Sequence, residues 1–220
     1  MTAVLIPAFN AAQSLGTLLE RISQNIGGTC IIVVDDGSSD DTSRIASDGG
    51  AVVIRHERNR GKGAALRSGF EYVLASTGSD SVLTMDADLQ HDPAEISKFL
   101  AAWESGGTDV ILGCRRLGRG MPIHRVLSNT ITSLLVSART GVRIRDSQTG
   151  YRLIAREVLS SVEVEADGYE AETEFLIKAA RKGFRISFVP IATIYGTAPS
   201  HMTHWHTTKR FLQVLLREYE

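Results

Sequence analysis

Residues 30–55 read CIIVVDDGSSDDTSRIASDGGAVVIR. An apolar run, Cys30–Asp35, is followed by a helical stretch, Asp41–Ser47, and a second apolar run, Ala51–Arg55. Strand, helix and strand in so short a span make a βαβ unit, and such units build a mainly parallel sheet. The alternation continues in both directions. Further strands are expected at Ala3–Ile6, Ser81–Met85 and Asp109–Cys114, with helices at Ala11–Asn25, Lys62–Ser76 and Pro93–Ser105. Leu15, Leu18, Leu19 and Ile22 recur at helical spacing and give the first helix one apolar face for the sheet. Asp92-Pro93, with Glu95 in the first turn, is a good helix start: a capping acid, then proline where no amide is needed.

The second half changes character. Pro122–Arg139 is a long amphipathic helix (Ile123, Leu127, Ile131, Leu134, Ala138). A polar stretch Arg145–Arg152, a helix Tyr169–Lys182, a strand Arg185–Pro190 and a last helix from about Trp205 follow. There is no internal repeat and no low-complexity linker. One domain, 1–220, is therefore expected, with a ligand-binding half, 1–115, and a second half, 116–220, on the same core.

Lys plus Arg (24) and Asp plus Glu (25) nearly cancel. That balance gives no global field for nucleic acid, and no basic stripe carries interleaved aromatics. A chain of 220 residues buries roughly 70% of its unfolded surface and needs no disulfide; Cys30 and Cys114 are expected as buried thiols in a reducing compartment. The first strand is expected to start within a residue or two of Met1, which leaves no room for a signal peptide, and no run reaches ~18 apolar residues. The expected location is cytoplasmic.

In open α/β sheets ligands sit outside the carboxyl ends of the strands. The first strand ends in Pro7-Ala8-Phe9-Asn10, with no glycine fingerprint, which argues against a nicotinamide enzyme. The second ends in Asp35-Asp36-Gly37-Ser38, where a carboxylate can accept from a base edge or a ribose; a turn-capping acid is an equal reading. The fourth ends in Met85-Asp86-Ala87-Asp88-Leu89-Gln90. Two acids bracketing one residue can share a divalent cation that fills its shell with water and substrate phosphate, and Gln90 adds a neutral oxygen. An aspartate-based phosphatase also uses Asp-x-Asp, but it expects Thr or Val where Gln90 stands. Arg58–Gly63 enters a helix and is a weak phosphate signal on its own. Cys114-Arg115-Arg116 places guanidinium groups on the same edge.

In order along the chain, Ile6–Asn10, Val33–Ser38, Asn59–Ala64, Met85–Gln90 with Pro93, Asp146–Arg152 and Glu172–Pro190 resemble the family 2 glycosyltransferases, in their dolichyl-phosphate mannosyltransferase-like branch. The resemblance implies an α/β, GT-A-type Rossmann-like fold with a mixed, mainly parallel sheet and helices on both faces. It implies that Pro7, Phe9, Val34 and Asp36 line a nucleotide pocket together with Asp86 and Ala87, that Asp86, Asp88 and Gln90 hold Mg²⁺ or Mn²⁺, and that Arg115 contacts a diphosphate. It further implies that Asp146, Gln148, Gly150 and Arg152 form an acceptor side and that Glu174 lies at the transfer site. Tyr195-Gly196 with Ser200-His201 is similar to the family's closing loop, with His201 set to touch the diphosphate. Ala11 and the histidines His201, His204 and His206 depart from the family pattern; their spacing fits no common zinc site.

The expected chemistry is an inverting sugar transfer from a GDP- or UDP-sugar to an acceptor, a polyprenyl phosphate among the candidates. Asp88 is expected to act in catalysis by holding the metal together with Asp86, and Glu174 or Glu172 as the base when the acceptor is a hydroxyl. The rival readings are a sugar-phosphate nucleotidyltransferase, which wants a glycine-rich loop after the first strand, and a non-catalytic sugar-nucleotide-binding subunit. The helix Pro122–Arg139 and the last helix could each rest on the inner face of a membrane, or their apolar faces could complete the core or form a homodimer contact; for the first helix the core or dimer reading is preferred.

Overall fold

The computed structural model describes residues 1–115, 123–192 and 204–219. Seven strands and eight α-helices are defined among them: β1 Thr2–Ala8, α1 Ala12–Asn25, β2 Ile31–Asp35, α2 Thr42–Asp48, β3 Val52–Arg55, α3 Lys62–Ser76, β4 Ser81–Thr84, α4 Ile96–Glu104, β5 Val110–Arg115, α5 Ile123–Thr140, β6 Arg152–Ala155, α6 Arg156–Ser161, α7 Ala171–Arg181, β7 Ile186–Ile191 and α8 His204–Leu216. The strands form one sheet in the order β3-β2-β1-β4-β6-β5-β7. Every neighbouring pair is parallel except β4–β6 and β5–β6. The mixed, mainly parallel sheet expected from the sequence is the observed one.

Strand residues alternate between two cores because successive side chains leave opposite faces of a strand. Val4 and Ile6 pack with Leu15, Leu18, Leu19 and Ile22 of α1 and Ile96 and Phe99 of α4. Leu5, Ile32 and Val34 pack with Leu66 and Phe70 of α3 and Phe175 and Leu176 of α7. Helices therefore cover both faces. Asp92 caps as expected, its Oδ1 accepting the Ala94 amide at 3.1 Å, but Pro93–Glu95 is a 3₁₀ turn ahead of α4. Cys30 and Cys114 are free and half-buried.

Two elements correct the sequence reading. The polar stretch expected to end at Arg152 runs straight into β6, which is only four residues long and is buried throughout. Helix α6, Arg156–Ser161, follows at once. So short a strand carries no alternation to detect; it exists because β4 and β5 flank it on both sides. Among the described residues no helix is long and apolar enough to cross a membrane.

Candidate active site

The site gathers at the carboxyl edge of the sheet, where β4 stops at Thr84 and the chain turns through Asp86–Gln90. This turn is held on several sides. Ser14 of α1 donates its hydroxyl to the Ala87 carbonyl at 2.6 Å. Leu89 adopts a left-handed φ of 61°, and the Gln90 amide donates to Asp88 Oδ1 at 3.0 Å. Beneath it, His91 stacks on Tyr151 at 5.0 Å, and Tyr151 packs on Phe99 at 4.4 Å. Burial pushes the His91 imidazole below its ordinary pKa, so the neutral ring, whose Nδ1 lies 3.9 Å from Asp86 Oδ2, is the favoured form.

Asp86 faces a lysine. Lys62, the first residue of α3, places Nζ 2.6 Å from Asp86 Oδ1 and 3.2 Å from Glu172 Oε2 of α7. Burial opposes the charge on Asp86, but Lys62 outweighs it and the carboxyl is held down at about 2. Burial likewise opposes the charge on Lys62, and Asp86 with Glu172 drives its pKa well above normal. Asp88, exposed as a residue but with its carboxyl partly shielded by the surrounding turn, shifts the other way, raised by that shielding and by the Asp86 charge. Two carboxylates thus crowd one space, and a cation would relieve that repulsion.

This donor set fits a magnesium- or manganese-like ion. Such ions take one or two protein carboxylates and complete their shell from water and phosphate. Among the described residues no group of three or more acids, histidines or cysteines that could hold a metal ion is assembled.

Lys62 reaches Asp86 because the start of α3 is fixed by other groups. Gly61 has φ 99°, and a Cβ there would lie 2.3 Å from the Asp167 carbonyl. That carbonyl accepts the Gly63 amide at 2.7 Å, while Asp36 accepts the Arg60 and Gly61 amides at 2.9 and 2.7 Å. The amides that might have cradled a phosphate at this helix start are therefore spent within the protein. Charge is presented instead by the Lys62 side chain, which the sequence reading passed over as part of a basic turn.

The second half meets the same edge because β6 runs antiparallel. Its amino end, not its carboxyl end, lies beside Thr84. The segment Asp146–Tyr151 is delivered onto Asp86, and a Cβ on Gly150 would sit 2.6 and 2.7 Å from the two Asp86 oxygens. Thr84 fixes the approach by donating to the Gly150 carbonyl at 2.8 Å. A Gly150→Ala variant should push this loop off the acid. Its expected signature is at least a tenfold weaker apparent Mn²⁺ affinity with a stability loss of only about 1–3 kcal/mol, measured by metal titration and urea unfolding.

Arg115, at the end of β5, is gripped by Asp146 through Nε at 2.7 Å and Nη2 at 2.9 Å. Asp146 also accepts the Gln148 amide at 3.2 Å, and Gln148 itself is exposed. The diphosphate-side and acceptor-side candidates are thus in direct contact.

Several of the expected site residues are engaged within the protein. Arg152 is buried and donates to the carbonyls of Thr149, Glu172 and Ser147, so it staples the loop to α7. Val34 is fully buried and Asp36 nearly so. Asp36 accepts two amides and contacts His56 Nδ1 at 2.6 Å, so it braces the Arg58–Gly61 turn. Pro7 and Phe9 remain at the rim, Phe9 being 42% exposed. Glu174 is fully buried, accepts the Glu165 and Ala166 amides at 3.0 and 2.8 Å, and pairs with Lys178 at 2.9 Å. The acid on α7 that faces the site is Glu172. His201, Arg116 and the Tyr195–Ser200 loop lie outside the described residues, as do the side chains of His204 and His206.

Comparison with known proteins gives this arrangement a family. The model for glycosyl transferase family 2 matches residues 3–162. The chain is 32% identical over 203 residues to a polyprenol monophosphomannose synthase of Mycolicibacterium smegmatis, covering 86% of this chain and 76% of that one. It is 29% identical over 215 residues to a UDP-N-acetylglucosamine–dolichyl-phosphate N-acetylglucosaminyltransferase of Methanococcus voltae, covering 87% of this chain and 85% of the other. In fold it is similar to glucosyl-3-phosphoglycerate synthase of Mycobacterium tuberculosis, solved with Mn²⁺, UDP and glucosyl-3-phosphoglycerate. The TM-score is 0.76 at 25% identity, covering 98% of this chain and 76% of that one. A mainly parallel sheet with two acids and a lysine at its carboxyl edge, and a family match across more than half its length, place this chain in glycosyl transferase family 2.

Proposed function

We propose that the chain moves a sugar from a UDP- or GDP-sugar to a polyprenyl phosphate with the help of Mg²⁺ or Mn²⁺. The observation that carries the reading is that Lys62 Nζ stands 2.6 Å from Asp86 and 3.2 Å from Glu172, with Asp88 exposed two residues beyond Asp86. Lipid-phosphate acceptors are those of the two relatives named above. Residues 1–115 serve the donor and 116–220 the acceptor, with Pro7 and Phe9 as the rim against which the nucleotide rests.

Asp86, Asp88 and Gln90 would hold the ion, which supplies positive charge where the diphosphate oxygen departs. Arg115, oriented by Asp146, adds a second cationic group on that edge. Lys62 keeps Asp86 ionised and fixed before any ion arrives. The acceptor oxygen bonds to the anomeric carbon as the bond from that carbon to the nucleoside diphosphate breaks, and the electron pair leaves on the diphosphate. A phosphate monoester has its second pKa near ~6 and already offers an anionic oxygen at neutral pH. No protein base is then needed; a hydroxyl acceptor would need one, and Glu172 is the acid placed for it.

Glu172→Gln should accordingly leave transfer to a lipid phosphate within about threefold, while Glu174→Gln acts chiefly through stability by disturbing a buried pair, at a cost of about 3 kcal/mol. Turnover and urea midpoints of both variants check this; an activity loss confined to Glu174→Gln at equal stability would reverse the assignment. The direct test of the reading is nucleoside diphosphate release from UDP- and GDP-sugars with Mn²⁺, with and without a short polyprenyl phosphate. Acceptor-dependent release from one donor is expected. Release that ignores the lipid phosphate but responds to a free sugar would overturn the acceptor.

A further inference from the structure

Helix α5 buries Val136 in the core, yet much of its inward face is polar. Its inward face carries Asn129, Ser133 and Ser137, spaced by four: Ser133 Oγ accepts the Ser147 amide at 3.0 Å and Ser137 Oγ accepts the Ile144 amide at 2.9 Å. Its outward face carries Leu127, Ile131 and Leu134, exposed by 59%, 47% and 64%, with Leu135 beside them at 39%. A helix on the surface of a globular domain ordinarily shows the opposite pattern. Aliphatic residues at positions i, i+4, i+7 and i+8 share one side of a helix, and a contiguous exposed patch of this kind marks a contact surface. Neighbouring α8 adds Leu212 and Leu216, exposed by 42% and 77%. Arg139 joins the two helices by donating to the Leu215 and Arg217 carbonyls at 3.1 and 2.9 Å.

Charge identifies what covers the patch. Residues 123–145 and 204–217 together hold seven Lys or Arg and no Asp or Glu, in a chain whose acids otherwise outnumber its bases. Arg217 is paired with Glu165 of the loop between α6 and α7, and Arg210 stands 3.8 Å from Glu170. Arg143, Arg145 and Lys209 are exposed. A second copy docked here about a twofold axis would set cations against cations. An anionic bilayer offers both an apolar interior for the leucines and negative headgroups for the bases.

We propose that the outward face of α5, continued by α8, rests on an anionic lipid surface. The purpose of this contact rests on the lipid-phosphate reading above, and the geometry serves it. The inward face of α5 is bonded to Ser147, the residue next to Asp146, so the docked face lies one helix diameter, about 10 Å, behind the loop that holds Arg115. A phosphate displayed at a membrane surface is then within reach of the site without any segment having to span the bilayer.

The test uses the full chain and sucrose-loaded vesicles that contain no polyprenyl phosphate. Wild type is expected to sediment with vesicles containing phosphatidylglycerol, to do so at least tenfold less with pure phosphatidylcholine, and to be released by salt. The Ile131→Asp/Leu134→Asp variant, and Ile131→Gln/Leu134→Gln, which removes the apolar groups without adding charge, are both expected to bind at least tenfold more weakly while keeping their unfolding midpoints. Both should retain transfer to a short acceptor in solution. Failure of wild type to sediment, equal sedimentation of the variants, or a wild-type dimer by light scattering that the variants dissolve would each overturn the proposal. Vesicle binding without any transfer to polyprenyl phosphate would instead leave this surface intact and remove the acceptor reading.

Discussion

Asp88→Ala, assayed with saturating Mn²⁺, is expected to turn over about a hundredfold more slowly than the parent. The size follows from what the ion supplies. Neutralising charge on a departing diphosphate is worth several kcal/mol, and about 3 kcal/mol corresponds to a factor of somewhat over a hundred in rate. Asp88 is the better of the two acids for this experiment. Asp86 has a lysine to hold and a loop glycine against both its oxygens, so its removal would disturb the fold as well. Asp88 is exposed, with its Oδ1 bonded to the Gln90 amide, and its loss should leave the urea midpoint nearly unchanged. Single-turnover rates across a Mn²⁺ titration give the answer; near-normal transfer at high metal would remove the two-acid site from the mechanism.

Lys62→Ala should have the largest effect on stability. Removing one partner of a buried ion pair leaves the other charge uncompensated, at a cost near the lower end of 3–5 kcal/mol, because the Asp86 side chain keeps 29% of its exposure. The pH dependence gives a sharper signature. In the parent, Asp86 titrates at about 2 instead of its ordinary 3.8. Its stabilising contribution is therefore complete above 3.8 and is lost as pH falls toward 2. In the variant the nearest cation is gone, so the folded-state pKa of Asp86 is held down less and this loss on acidification shrinks. The stability gap between the two proteins should therefore narrow as pH falls from about 3.8 toward about 2. Mn²⁺ should also raise the melting temperature of the variant more than that of the parent, since the ion supplies the missing charge. A gap constant with pH and indifferent to Mn²⁺ would mean that Lys62 does no more than pack.

Much of this was legible in the residues. The βαβ rhythm of residues 30–55 gives the sheet, and Asp86-Ala87-Asp88 stands out because two acids interrupt an otherwise apolar strand end. What escaped was set by tertiary contact. Lys62 looks like one base among Arg55, Arg58 and Arg60 until α3 is seen to start beneath the Asp167 carbonyl, which directs that one side chain onto Asp86. Glu172 and Glu174 are two residues apart in the same acidic turn, and only the packing of α7 against residues 163–166 shows which of them points inward. Strand β6 has four residues and no pattern of its own. Sequence alone does not decide whether the leucines of α5 meet core, a partner copy or a membrane, because helical spacing reports that a face exists, not which way it turns.

The reversed strand β6 has a consequence in time as well as in space. Its amides and carbonyls pair with β4 on one side and β5 on the other, and Leu153 and Ile154 are almost wholly shielded from water. Opening such a centre requires both flanking ladders to part. The two halves of the site would then lose their alignment in a single event instead of fraying one after the other. Deuterium should enter the backbone of residues 152–155 at the pace of global unfolding, and heat should extinguish donor binding and acceptor binding at one common temperature.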